Sequence, residues 1–292
     1  MKMLKLLSLI TVFACIFYAN NLFGQGAYIK VSTGYSFAVS AQNIDGFNNS
    51  TEVYSSSYSG SSQESCTEEQ VDVSLGKGLN FDGAFGYMFN KNLAAELGFS
   101  YLLGAESEAR SEYEYTYRGY YDNISYHSLT DYTLSSNMLR ITPAVIISSG
   151  LVGINPYAKF GLVIGKGTIH YDYEENDDDN IYKYKEEWNG GLSMGFNTAV
   201  GANYALGGNI LLFGEISMIN MSYAPTNGEV TEASYNGEDN LSDMTTNEKE
   251  TEFVDEYSYS DSSSPDGLPN KELKQNLPFG SLGLIFGIKI GF

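Results

Sequence analysis

Residues 191 to 206, GLSMGFNTAVGANYAL, alternate between two kinds of side chain. One set is Leu192, Met194, Phe196, Val200, Ala202, Tyr204 and Leu206, interrupted only by Thr198; the other is Gly191, Ser193, Gly195, Asn197, Ala199, Gly201, Asn203 and Ala205. Successive side chains of a strand point to opposite faces, so this period of two predicts a strand with one apolar face. A soluble sheet would carry charge on its second face. Here that face is small, polar and uncharged, which fits lipid on one side and a crowded lumen on the other.

Seven more stretches alternate in the same way, at about 27–40, 75–89, 93–105, 134–148, 154–171, 209–223 and 277–292. Three connections between them are short: Asn90 to Asn92, Ser149 to Gly153, and Gly207/Gly208. Four are long, about 41–74, 106–133, 172–189 and 224–276, and the two kinds take turns along the chain. Membrane barrels have short periplasmic turns, long extracellular loops and periplasmic termini. The expected fold is therefore an all-β transmembrane up-and-down antiparallel β-barrel of 8 strands, with 10 as the alternative if 224–276 hides a hairpin.

Charge follows the same division. The four long connections hold 33 of the chain's 36 acidic residues. Within the strands, the parity that turns apolar residues outward turns Lys30, Asp82, Glu96, Arg140, Lys159, Glu215 and Lys289 inward. Only Lys77 and Lys166 break the rule, near the loop ends, where a lysine can reach headgroups. A soluble β-sandwich or lipocalin-like barrel would instead need an outer face of Gly, Ser and Ala where soluble surfaces carry Lys and Glu.

At the start of the chain, Lys2 and Lys5 precede an apolar run, Leu6 to Tyr18, that ends at NNLFGQ. The run is too short for a spanning helix, which needs about 20 residues, and reads as a secretory signal peptide over residues 1–24. The barrel is assigned to residues 25–292. That portion keeps a single cysteine, Cys66, so no disulfide forms within it.

The chain closes on FGIKIGF, with Phe286, Ile288, Ile290 and Phe292 at alternating positions. Together with the signal peptide, the strand count and the loop alternation, this resembles the outer-membrane-protein β-barrel family of Gram-negative bacteria, of the OmpA-transmembrane, OmpX and OmpW kind. The resemblance implies insertion by the outer-membrane assembly machinery, for which those four residues would be the signal. It also implies an integral outer-membrane location with extracellular loops, in contact with outer-membrane lipid and lipopolysaccharide.

An interior of this width is filled by side chains. Buried charges need partners, and the expected pairs are Lys30 with Asp82, Glu215 with Lys289, and Glu96 with Arg140 or Lys159. Catalysis finds little support: only His127 and His170 exist, and neither has a serine and a carboxylate at a telling spacing. The acidic segment EENDDDN, 174 to 180, lacks the glycine and distal glutamate of a calcium loop and reads as a solvated tip, so no metal site is assigned. No cofactor is called for. EYEYTYRGYYDNISY, 112 to 126, reads as a hairpin rising above the membrane, whose tyrosines suit an extracellular protein or glycan partner. Loops this acidic repel nucleic acid. The expected role is structural or surface-interacting and adhesin-like, with a narrow porin-like channel as the alternative and a lipid-modifying enzyme as a third reading.

Overall fold

The structure, a computed structural model, describes residues 26–39, 41–178, 180–258 and 267–292. The expected signal peptide lies outside the described residues. In chain order the strands are β1 (Gly26–Ala38), β2 (Gln42–Ser57), β3 (Ser62–Val73), β4 (Gly78–Met88), β5 (Leu93–Gly104), β6 (Ser107–Arg118), β7 (Asn123–Ser148) and β8 (Ile154–Asp177). They continue as β9 (Asn180–Asn189), β10 (Ser193–Gly207), β11 (Ile210–Tyr223), β12 (Asn227–Tyr235), β13 (Glu238–Asp239), β14 (Glu250–Val254), β15 (Asn270–Leu273), β16 (Leu277–Pro278) and β17 (Ser281–Gly291).

The expected fold class is corrected by this arrangement. The chain is all-β, but its described residues form a 17-stranded mixed sheet, not an antiparallel barrel of eight or ten strands. Among the described residues two pairings are parallel, β2 with β6 and β14 with β15. The segments expected to be loops are largely strands. Their sequences mix Tyr, Thr, Ser and Glu on both faces, so they carry strand propensity without the apolar alternation that betrays a strand in sequence.

Within the sheet, antiparallel neighbours can be followed in a circuit from β1 to β4, β5, β7, β8, β10, β11 and β17, which pairs with β1 again. The short turns sit at one end of it. Gly207 and Gly208, at φ 129° and 59°, make the turn from β10 to β11, a backbone that a residue with a Cβ rarely adopts. At the other end β7 and β8 run on for 26 and 24 residues, beyond the reach of β5 and β10. Their extensions recruit new neighbours. On one side come β6, β2 and β3, and on the other β9, β12, β14 and β15.

Where the circuit passes into this projecting sheet, its interior is closed by an apolar core that includes Leu102, Leu134, Met138, Val163, Met221, Tyr223 and Phe279. The Tyr223 hydroxyl donates to the Gly167 carbonyl at 2.8 Å, and its ring meets Phe279 edge-on at 5.7 Å.

Candidate functional site

The alternation of the circuit strands turns two classes of residue in opposite directions. Outward go large apolar side chains, among them Val31 (66 % exposed), Phe160 (61 %), Met194 (72 %) and Phe286 (65 %). Toward the inside go polar and charged ones. β1 contributes Tyr28 and Lys30, β4 Asn80 and Asp82, β5 Glu96, β7 Arg140, β8 Tyr157 and Lys159, β11 Glu215 and β17 Lys289.

Four of these charges form one cluster. Lys30 Nζ lies 3.4 Å from Glu96 Oε2 and 3.6 Å from Glu215 Oε2. Lys159 bonds Glu215 Oε1 directly and lies 4.0 Å from Glu96 Oε1. Each carboxylate also accepts a tyrosine hydroxyl, Tyr28 to Glu96 at 3.0 Å and Tyr157 to Glu215 at 2.9 Å. Lys30 sits 4.1 Å over the Phe213 ring. An ion removed from water costs several kcal/mol unless its charge and hydrogen bonds are met, and here two cations and two anions meet each other alternately.

The small inward residues make this cluster fit. Gly86 is the neighbour of both Tyr28 and Glu96, and Gly201 of both Tyr157 and Glu215. A Cβ on Gly201 would come within 2.7 Å of the Tyr157 ring. The two tyrosines were not singled out in the sequence, although each lies two residues before an inward lysine and shares its face.

Two expected pairs are corrected. Lys30 does not meet Asp82, because register sets Asp82 opposite Ser32 and Lys30 opposite Ala84. Glu215 does not meet Lys289: Glu215 is opposite Ile285, four residues or about 13 Å along β17 from the lysine. Of the two partners expected for Glu96, Lys159 is the one within reach. Arg140, 1 % exposed, instead donates to Asn80 Oδ1, and Asn80 donates to Ser36 Oγ at 2.8 Å. Arg140 and Asp82 share a rung, both being neighbours of Ser100. Among the described residues Asp82 Oδ2, Arg140 Nε and Asn197 Oδ1 have no hydrogen-bond partner, and their side chains border a cavity of ≈ 60 Å³, large enough for about two waters.

Neither histidine joins the cluster. His170 lies on β8 between Asn137 (3.1 Å) and Glu187 (3.4 Å), and His127 pairs with Glu112 at 3.0 Å. The tyrosine-rich segment forms β6 and the start of β7, with Tyr115 opposite Tyr126 and stacked on Tyr54 of β2 at 5.5 Å. Cys66 is a free, exposed thiol on the edge strand β3.

Phe286, Ile288, Ile290 and Phe292, expected to form an assembly signal, lie together on the outward face at the end of β17, all exposed. No protein-family model matches the chain, and no curated protein matches it.

Proposed function

We propose that this chain is an integral outer-membrane protein whose strand circuit stands in the bilayer with a side-chain-filled interior, and whose projecting sheet is a surface-interaction device. The observation that carries this reading is the outward face of the circuit. Every strand of it exposes large apolar residues, from Val31 and Phe37 on β1 to Leu284 and Phe286 on β17. Each such side chain gains about 1.5–3 kcal/mol on leaving water, so a continuous belt of them is untenable in solution. Its strands, 11 to 15 residues where they are not extended, meet or exceed the roughly 9–11 tilted residues that crossing takes.

The interior supports a structural role over a conducting one. An ionic cluster crosses it, and an apolar core lies where the circuit passes into the projecting sheet. The projecting sheet supports the interaction role. It and its connections carry most of the carboxylates of the described residues, and it presents Tyr58, Tyr120 and Tyr121 at 71 %, 73 % and 90 % exposure. Tyrosine offers a large amphipathic contact with few rotamers to freeze.

The test is refolding into lipid vesicles, with mobility compared before and after boiling, and single-channel recording. A faster-migrating unboiled form with silent recordings is the expected result. Failure to partition into lipid, or reproducible conductance steps, would overturn the membrane and closed-interior parts respectively.

A further inference from the structure

The inward charges do not all cancel. Lys30, Lys159, Glu96 and Glu215 neutralise one another, and Arg140 shares its rung with Asp82. Lys289 is left over. Its ammonium lies 3.6 Å over the Tyr28 ring and 3.8 Å from Met88 Sδ, and no carboxylate of the described residues comes within the 4.0 Å of an ion pair. A ring face and a thioether stabilise a cation without neutralising it.

Lys289 opens onto a cavity of ≈ 330 Å³ at the short-turn end of the interior. Among the residues lining it, Lys289 carries the only charged side chain; the polar ones include Asn155, Asn203, Asn209 and Ser148. Asn203 is 7 % exposed, and among the described residues its amide has no hydrogen-bond partner. It stands directly opposite Asn155, whose Oδ1 accepts from Ser149 Oγ and the Gly150 N–H at 2.9 and 3.0 Å, leaving its NH2 free to donate. Both amides line the cavity, so their NH2 groups are placed to donate to a molecule inside it. Lys289 and the two asparagines line the same cavity, so an oxyanion within it is offered a counter-charge and amide donors.

We infer that this mouth binds a small oxyanion of the phosphate class, with Lys289 as its counter-charge and Asn203 and Asn155 as hydrogen-bond donors. The site depends on the interior geometry alone and stands whether or not the belt is in lipid. The Tyr28 ring, whose hydroxyl is held by Glu96, forms the floor that separates the anion from the ionic cluster behind it.

The experiment is a titration of inorganic phosphate into the refolded full chain in zwitterionic micelles, followed by phosphorus NMR at constant ionic strength held with chloride. A saturable response is expected in the unaltered protein and in Lys289→Arg, with at least about tenfold weaker binding in Lys289→Met, a loss typical of removing a charge-assisted contact. No saturation in the unaltered protein, or an unchanged titration in Lys289→Met, overturns the site. Should Lys289→Met fail to fold, Asn203→Asp decides, because it keeps the lysine and sets a like charge against the ligand: weakened binding supports the site and unchanged binding removes it.

Discussion

Tyr28 donates its hydroxyl hydrogen bond to Glu96 at 3.0 Å, and it reaches from β1 to β5 only because the strand between them presents Gly86. The same relation recurs half-way round the circuit, where Tyr157 on β8 reaches Glu215 on β11 past Gly201 on β10. Each tyrosine is followed two residues later by a lysine of the cluster, Lys30 and Lys159. The cluster thus has an approximate two-fold arrangement, which explains why glycine stands at two such different points of the chain.

Replacing Gly86 with valine is expected to destabilise the protein by about 1–3 kcal/mol, the usual cost of overpacking. The added Cβ would collide with the Tyr28 ring. The Gly86→Val/Tyr28→Ala double variant should recover part of the loss, measured as the temperature at which the folded band disappears on a gel. Additive losses in the double variant would show that the two residues do not compete for space.

Lys159→Met should be costlier, about 3–5 kcal/mol, because it strips Glu215 of its directly bonded cation inside the circuit. Lys159→Met combined with Glu215→Gln removes the uncompensated charge and should restore much of the stability. Urea unfolding of both variants checks this. A double variant no better than the single one would contradict the pairing.

Outside the circuit, burial raises the Glu186 carboxyl above its ordinary range; the neighbouring Trp188 indole opposes the shift and the nearby Glu272 carboxylate adds to it. The folded state therefore holds this proton to higher pH than the unfolded chain does. Stability from this group is complete below the unfolded value and declines as pH rises through the folded one. Trp188 is the protein's only tryptophan and stacks on Tyr171 at 5.7 Å, so its fluorescence should report the titration. Glu186→Gln is expected to abolish that pH-dependent step and to stabilise β9 against β12 at neutral pH. An identical fluorescence titration in the variant would assign the step to another group.

The parallel pairing of β2 with β6 sets Val53 opposite Glu114. Adjacent strands lie about 4.8 Å apart, within disulfide reach. In a Cys66→Ser background, Val53→Cys with Glu114→Cys should cross-link on oxidation, whereas Val53→Cys with Thr130→Cys should not, because Thr130 lies two strands away from β2, on β7. Equal cross-linking of both pairs would dismiss the parallel register.

The sequence by itself determined which way side chains point. Period-two alternation is local, so the apolar outward rows and the inward seven from Lys30 to Lys289 were legible without knowing any neighbour. Beyond the 112–126 hairpin, which β6 and β7 form, it did not disclose the strands of the projecting sheet, because a strand polar on both faces has no periodic signature. Nor could it say which inward charge meets which. Register moves Asp82 past Lys30 along adjacent strands, and curvature of the circuit brings Lys30 across to Glu215, residues that no local pattern connects. Tertiary structure alone decided those partners, because pairing inside a closed circuit is set by distance across the interior and not by order along the chain.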